Sequence, residues 1–250
     1  MSFLEFSSAV RHSLPSHENF ARRAETAIKI PAYLEDTYWW AYVRPTAVRF
    51  LDRPWLINLY LFGKYRTLRD EVLREFGPAI PGRTLQISCC YGELTPRLIQ
   101  RVRRGGGTLD VIDVLPVQLV NLGRKLQQGI SATLHQMDAA ALDFPDASFD
   151  QVLLFFLLHE EPQEYREKTI REALRVLKPG GKIVIADYGA PSAWHPLRYL
   201  LLPLLGLIEP TAREMWSREL AAILPNEMHG RTWRKVSYLG GLYQMLVSTA

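Results

Sequence analysis

Apolar and polar positions follow two different periods along this chain, and the two periods alternate from about residue 83 onward. Thr84–Cys89 and Phe149–Leu158 are short, nearly continuous apolar runs, as in strands that are buried on both faces. Between such runs, apolar residues such as Leu94, Leu98 and Val102 recur at helical spacing. Strands that alternate with helices predict an α/β fold with a doubly wound, mostly parallel sheet.

The later part of the chain supplies the remaining strands of this sheet. A third strand ends at Asp138, and a fifth covers Lys182–Asp187. Thr232–Tyr238 and Leu242–Ser248 are joined by two glycines, a spacing typical of an antiparallel pair. We expect this pair at the edge of the sheet.

Several predicted strands end in a side chain that can form polar contacts with a ligand. The stretch from Arg83 to Asp113 predicts a strand, a tight turn at Gly92, a helix and a second strand that ends in an acid. This order is typical of nucleotide-like ligands, with the acid accepting hydrogen bonds from ribose hydroxyls. Because ligands of such sheets lie at the carboxyl ends of the strands, Asp138, His159 and Asp187 are also expected there.

The segment before the sheet is rich in aromatic residues and has two interpretations. We divide the chain into a helical, aromatic lid over residues 1–80 and a sheet domain over residues 81–250 with an apolar insertion at 192–230. The stretch Tyr33–Tyr65 either packs its aromatics on the core or offers a surface to a flat apolar ring or a membrane interface. In the second interpretation the polar contacts to the ring come from Arg44, Asp52, Arg53 and Asn58.

Composition narrows the possible partners. The 250 residues carry a formal net charge of +4, which suits an anionic membrane surface or nucleic acid without requiring either. The cluster Arg101, Arg103 and Arg104 is interpreted as a solvated helix face, so no nucleic-acid partner is expected. No secretory signal is expected, and no stretch reaches the roughly 18 apolar residues of a membrane span. Pro196–Ile208 is either a buried helix or, as we favour, an interfacial patch that dips into lipid.

Three motifs resemble one enzyme family. They are DAAALDFPDASFDQV (Asp138–Val152), LRVLKPGGKIVIAD (Leu174–Asp187) and the terminal VSYLGG. They resemble the class I S-adenosylmethionine (SAM)-dependent methyltransferases, near the quinone C-methyltransferases. The resemblance implies a seven-stranded Rossmann-like sheet with SAM as cosubstrate. It also implies that Asp113 binds the ribose of SAM, whereas Asp138 and the backbone of Ala139 hold the adenine.

The first glycine-rich loop departs from that family. Its members usually carry an acid followed by several glycines, but this chain has Gln86 at the acid position and Ser88 and Cys90 at two glycine positions. Only Gly92 remains. In this fold the loop faces the methionine end of SAM, so Ser88, Cys90 and Gly92 are predicted cofactor-binding residues with altered chemistry at that end. Cys89 and Cys90 are adjacent, which excludes a disulfide framework, and two thiols alone suit a hard metal ion poorly.

Four further stretches resemble a narrower group, the rhodoquinone biosynthesis (RquA) family. They are TYWWAYVRP (Thr37–Pro45), FLDRP (Phe50–Pro54), SCCYG (Ser88–Gly92) and LLFFLLHEEP (Leu153–Pro162). This resemblance implies that ubiquinone is converted to rhodoquinone by exchange of a ring methoxy for an amino group. SAM would be the amino donor, with manganese(II), Mn(II), assisting. The partner would be ubiquinone in a membrane, which the protein would bind peripherally at the cytoplasmic face of the bacterial inner membrane, or at the mitochondrial inner membrane in a eukaryote.

Such chemistry needs a base or a metal where the ring enters. His159, Glu160 and Tyr91 are the candidate catalytic residues, and Asp143, His159, Glu160 and Glu161 are the candidate metal ligands. Alternatively, the two glutamates only begin a helix, where the dipole favours acids, and Tyr91 only fills space.

Two rival functions stay open. One is an ordinary quinone or phenol methyltransferase, and the other is a catalytically silent scaffold with a SAM-type fold in a quinone-synthesis complex. The sequence does not predict the oligomeric state.

Overall fold

A seven-stranded sheet organises the computed structural model of the protein, which describes residues 30–37, 44–126, 132–196, 198–199, 210–217, 220 and 231–249. The strand order is β3-β2-β1-β4-β5-β7-β6. The strands are β1 Arg83–Ile87, β2 Thr108–Asp113, β3 Thr133–Gln136, β4 Phe149–Phe155, β5 Leu177–Tyr188, β6 Trp233–Tyr238 and β7 Tyr243–Thr249.

Helices precede the sheet and alternate with its parallel strands. In the described ranges they are α1 Ala32–Thr37, α2 Pro45–Leu51, α3 Pro54–Tyr60, α4 Tyr65–Phe76, α5 Leu94–Arg104, α6 Pro116–Lys125, α7 Gln163–Val176 and α8 Pro210–Ser217. The alternation of strand and helix predicted from residue 83 onward is confirmed. The predicted third strand is shorter than expected, because it ends at Gln136 rather than at Asp138.

The sheet is mostly parallel, as predicted. β1 pairs in parallel with β2 on one side and with β4 on the other, with Thr84 opposite Leu109 and Leu85 opposite Val152. β7 runs antiparallel to both β5 and β6, so β6 forms the edge of the sheet. The chain order changes direction between β1 and β4, and a ligand cleft is expected at the carboxyl ends of strands beside such a switch point.

Amphipathic helices cover the sheet. Leu94, Leu98 and Val102 are all buried on the inner face of α5, as their spacing predicts. The prediction that the three arginines of the outer face are solvated is only partly correct. Arg103 and Arg104 are exposed, but Arg101 is half-buried and donates hydrogen bonds to backbone carbonyls at the end of α4, including that of Gly77 at 2.9 Å.

Parts of the sequence-based interpretation lie outside the described residues. These are residues 1–29, the aromatic run 38–43 and most of the apolar insertion 192–230, including most of Pro196–Ile208. The division into a lid and a sheet domain therefore stays a prediction. In the described ranges, no helix is both long enough and apolar enough to cross a membrane.

Candidate functional site

An open cavity lies at the carboxyl ends of β1, β2 and β4, the edge where a ligand was predicted. The space between its walls is about 990 Å³ when the open mouth is included. Its floor is formed by the residues that follow the three strands. Ile57, Tyr60 and Leu61, from α3 and the residue after it, form one wall.

The Ser88–Gly92 loop bends sharply at both ends. Ser88 has a φ of +75° although it carries a Cβ, and Gly92 has a φ of +82°. A Cβ on Gly92 would lie 2.2 Å from the hydroxyl oxygen of Tyr65, which accepts a hydrogen bond from the backbone N–H of Glu93 at 2.7 Å. Glycine is therefore required at position 92, whereas Ser88 holds a left-handed conformation that is rare for residues with a side chain.

Gln86 supports this loop from behind. Its side chain is fully buried and does not line the cavity. The Nε2 group donates to the backbone carbonyl of Ser88 at 2.9 Å and to Sγ of Cys90 at 3.3 Å. The residue that replaces the usual acid thus stabilises the turn through a neutral amide.

The predicted ribose-binding acid closes the loop from the neighbouring strand. Asp113 accepts hydrogen bonds from the backbone N–H of Cys89 at 2.8 Å and of Leu115 at 2.9 Å, and it lines the cavity. Burial raises the pKa of its carboxyl to about 6, and the hydrogen bonds only partly oppose this. Asp138 and Ala139 also line the cavity. The roles of these three residues toward SAM stay predictions.

Burial also raises the pKa values of the two cysteines and the tyrosine of the loop. It raises the pKa of the Cys90 thiol to about 12 and that of Cys89 well above its usual value, so both stay protonated near neutral pH. Tyr91 lines the cavity and accepts a hydrogen bond from Nε2 of Gln118 at 3.1 Å, while burial raises its pKa.

His159 is the candidate base with the best-defined surroundings. Its Nδ1 lies 2.9 Å from Oδ1 of Asp187, and because a carboxylate only accepts hydrogen bonds, this contact places the proton on Nδ1. Asp187 is 1% exposed and is itself held by the backbone N–H of Leu158 at 2.8 Å. The ring of His159 packs edge-on against Phe156 and Tyr188. Its Nε2 is thereby oriented as a proton acceptor.

The four predicted metal ligands do not form one site. Asp143 is exposed and does not line the cavity. Its loop is instead fixed by Arg175, which donates to the carbonyl oxygens of Leu142 at 2.9 Å and Phe144 at 2.8 Å.

The two glutamates of the predicted metal site diverge. Glu160 lies 3.8 Å from Nε2 of His159, but Glu161 turns inward and accepts a hydrogen bond from Oγ1 of Thr169 at 2.8 Å. Burial raises the pKa of Glu161 to about 8, so it is largely protonated at neutral pH. Across the described ranges, no group of three or more His, Cys, Asp or Glu side chains could hold a metal ion. The residues present do not fit a manganese site.

Asp52 has a different role from the predicted one. Its carboxylate accepts hydrogen bonds from the backbone N–H of Gly92, from Nδ2 of Asn121 at 2.6 Å and from Nζ of Lys125. It therefore ties the segment between α2 and α3 to the loop. None of the four polar residues expected to contact a ring (Arg44, Asp52, Arg53 and Asn58) lines the cavity.

Sequence reasoning missed several contacts of this site. The links of Asp52 to Gly92 and of Asp187 to His159 join positions 40 and 28 residues apart. The only sequence signal for the second link was the position of Asp187 at the end of a predicted strand. Tyr33, which lines the cavity from α1, belongs to the aromatic stretch Tyr33–Tyr65, one interpretation of which was a surface for a flat apolar ring.

Part of the chain is similar in sequence to known methyltransferases. Residues 84–181 match the family model described as a methyltransferase domain. The chain is 34% identical over 154 residues to the ubiquinone/menaquinone biosynthesis C-methyltransferase UbiE of Pseudomonas paraeruginosa, covering 58% of this chain and 59% of that protein. It is 26% identical over 159 residues to UbiE of Pseudoalteromonas translucida, covering 60% and 62%. The chain thus spans less than two thirds of the length of these relatives.

Solved structures show the same fold at low sequence identity. A SAM-dependent methyltransferase from Aquifex aeolicus is 21% identical with a TM-score of 0.52, covering 82% of this chain and 97% of that one. The N-methyltransferase NodS of Bradyrhizobium japonicum, in complex with S-adenosylhomocysteine, is 16% identical with a TM-score of 0.54, covering 80% and 90%. Residues 84–181 therefore match a methyltransferase domain, 154 residues of the chain are similar to part of the UbiE C-methyltransferases, and the fold is shared with solved methyltransferase structures.

Proposed function

We propose that the protein binds SAM in this cavity and transfers a methyl group to a carbon of a quinol ring, and the similarity to the ubiquinone/menaquinone biosynthesis C-methyltransferases UbiE supports this proposal. The observation that carries the proposal is that residues suited to bind SAM and residues suited to bind a ring substrate line the same cavity. Asp113 and residues 88–91 line the cavity, whereas Gly92, a predicted cofactor-binding residue, only shapes the turn behind them. His159, which Asp187 orients, lines the same cavity beside the aromatic side chains of Phe155 and Phe156.

The cavity fits both reactants by its chemistry. Asp113 would accept hydrogen bonds from the ribose hydroxyls, and Asp138 would hold the adenine together with the backbone of Ala139. Phe156, with apolar residues of the α3 wall, offers flat and apolar contact for a ring. When bound, SAM supplies an electrophilic methyl group.

His159 would act as the general base of this reaction. Asp187 fixes the tautomer of the imidazole, so Nε2 can take the proton of a ring hydroxyl. Removal of that proton raises the electron density of the ring carbon beside the hydroxyl, which is where an electrophile adds. That carbon then loses its own hydrogen as a proton, which restores the aromatic ring. Glu160, 3.8 Å from Nε2, would stabilise the imidazolium that results.

One specific observation favours a second candidate, the exchange of a methoxy for an amino group that the resemblance to the rhodoquinone family implies. The buried side chain at the usual acid position is the neutral amide of Gln86. A carboxylate there would stabilise a nearby ammonium, whereas an amide does not, and only an unprotonated amine can attack a ring. No role for manganese(II) is derived from the described residues.

One experiment separates these functions. The full chain is incubated with SAM and either a short-chain quinol that has an unsubstituted ring carbon or a short-chain ubiquinone. The SAM carries heavy nitrogen at its amine, and manganese(II) is added to half of the samples. A product heavier by one methylene, together with S-adenosylhomocysteine, supports methyl transfer, and heavy nitrogen in the ring with loss of methoxy supports the second candidate.

The same experiment can contradict both candidates. If the protein binds S-adenosylhomocysteine but forms no product from either substrate, the silent scaffold is the function that remains. His159→Gln provides the matched control, because it keeps a polar side chain of similar reach but cannot take a proton. It should abolish product without changing the affinity for S-adenosylhomocysteine.

The proposal places the substrate in a membrane. A quinone with its natural prenyl tail partitions into the bilayer, so the protein would associate peripherally with the cytoplasmic face of the bacterial inner membrane, or with the mitochondrial inner membrane in a eukaryote. Sedimentation of vesicles tests this placement. The activity on a long-chain quinone should be recovered with the sedimented vesicles.

A further inference from the structure

Helix α3 has two apolar faces that point in opposite directions. Ile57 and Leu61, four residues apart, line the cavity. Trp55 and Leu59, also four residues apart, are 59% and 66% exposed, and Phe62 just beyond the helix is 41% exposed. One short element therefore separates the cavity from a patch of large apolar side chains in solvent, and such a patch indicates an interaction site.

The charges around this patch identify the kind of partner. Arg49 and Arg53, which shortly precede the patch in the chain, are exposed, and the guanidinium of Arg53 lies over the ring of Phe50 at 5.1 Å from its centre. Between residues 44 and 64, Asp52 is the only acid. Its side chain is 6% exposed and bonded inward to Lys125, so it does not offset the outer positive charge.

From these features we infer that residues 49–62 dock the protein on an anionic lipid surface, with the α3 patch (Trp55, Leu59 and Phe62) inserted at the headgroup level. Tryptophan and phenylalanine with arginines beside them suit the boundary between headgroups and acyl chains. Arginines near an anionic surface add attraction that salt weakens. The sequence analysis favoured Pro196–Ile208 as the patch that dips into lipid, and it gave a membrane interface as one interpretation of Tyr33–Tyr65, the stretch that contains α3.

The position of the patch also deepens the proposed function, on which this step rests. Tyr60 lines the cavity, and its hydroxyl lies 3.3 Å from the hydroxyl of Tyr188 at the end of β5. Docking through the outer face of α3 would bring the cavity wall against the bilayer. A ring dissolved in lipid would then enter the cavity past α3 without crossing bulk water.

Vesicle binding by the full chain tests the surface. Vesicles of phosphatidylcholine, with or without phosphatidylglycerol, are cosedimented with wild-type protein and with the double variant Trp55→Ser/Leu59→Ser. We expect the wild type to prefer the anionic vesicles and the double variant to bind them at least tenfold more weakly. Arg49→Gln and Arg53→Gln should each weaken binding about fivefold at low salt.

Matched controls use exposed residues elsewhere on the molecule. Val120→Ser changes another exposed apolar side chain, 47% exposed on α6, and Arg103→Gln removes an exposed arginine from α5. Neither should alter vesicle binding. Thermal unfolding of every variant identifies any that fail to fold. For such a variant, Trp55→Phe/Leu59→Met keeps the apolar surface and should bind like the wild type.

Each outcome decides the inference. Equal binding of wild type and Trp55→Ser/Leu59→Ser, or equal binding to neutral and anionic vesicles, would overturn it. A halved molar mass of the double variant without any loss of vesicle binding would assign the patch to a second copy of the chain. Turnover of a water-soluble short-chain quinone should not change in the double variant. If no transfer to any ring occurred but vesicle binding still depended on α3, the proposed function would fail while the docking surface would stand.

Discussion

Replacing Asp52 by alanine should loosen the loop that carries Gly92, although Asp52 lies outside the cavity. The carboxylate follows α2 and joins three partners from other parts of the chain. They are the backbone N–H of Gly92, Nδ2 of Asn121 at 2.6 Å and Nζ of Lys125, which lies 2.8 Å from Oδ2. Removing it leaves two donors without this acceptor and a largely buried ammonium without its counter-charge.

The magnitude follows from burial. The side chain of Asp52 is 6% exposed and that of Lys125 is 23% exposed. Breaking a buried ion pair by removing one partner costs about 3–5 kcal/mol. The lower end applies here, because Lys125 keeps some solvent and the carbonyl oxygen of Gly92 at 3.1 Å. We expect a loss of about 3 kcal/mol, which corresponds to a melting temperature lower by about 6–12 °C in a chain of this length.

Two measurements check this expectation. Denaturant unfolding gives the stability, and calorimetric titration with S-adenosylhomocysteine gives the affinity, which should fall about tenfold because the Gly92 turn is no longer held. Asp146→Ala is the control, since Asp146 is 78% exposed and its ion pair with Arg175 should contribute less than about 1 kcal/mol. The reasoning is refuted if Asp52→Ala unfolds within about 1 kcal/mol of the wild type and binds S-adenosylhomocysteine equally well.

Three further substitutions test other parts of the site. Asp187→Asn should lower turnover about a hundredfold or more without changing S-adenosylhomocysteine affinity, because an amide no longer holds the His159 tautomer; unchanged turnover would exclude that role. Gly92→Ala should weaken S-adenosylhomocysteine binding at least tenfold in calorimetry, since its Cβ would lie 2.2 Å from the Tyr65 hydroxyl, and normal affinity would contradict this. Glu161→Gln should flatten the pH dependence of unfolding. Folding raises the pKa of Glu161 from 4.5 to about 8, so wild-type unfolding releases a proton in this range and stability falls as the pH rises through it. Equal pH slopes for wild type and variant would show that Glu161 is not the titrating group.

The sheet and the location of the cavity could be predicted because they depend on local patterns. Nearly continuous apolar runs identify strands buried on both faces, and β4 is such a strand. The carboxyl ends of neighbouring parallel strands meet at one edge, so Asp113 and His159 could be placed at the same cavity from order alone.

The detailed contacts could not be predicted, because they depend on register and on long-range packing. The contact of His159 with Asp187 requires that β4 and β5 pair with Phe155 opposite Ala186, and alternation alone does not fix that pairing. Asp143 was predicted to be a metal ligand together with His159, Glu160 and Glu161. Arg175 lies far along the chain on α7, and its hydrogen bonds hold the backbone of the loop that contains Asp143, which does not line the cavity.

The departures in the Ser88–Gly92 loop do not by themselves argue for a protein without activity. A loop that had lost its function would be expected to lose its turn when glycines are replaced, yet Ser88 keeps a φ of +75°. That conformation costs about 1–2 kcal/mol for a residue with a Cβ, and it persists only where surrounding contacts impose it. The contacts are present on both sides, since Gln86 donates to the Ser88 carbonyl and Asp113 accepts from the Cys89 N–H. Because the turn is maintained at a cost beside the cavity, we infer that its shape is used there, which favours an active protein over a silent scaffold.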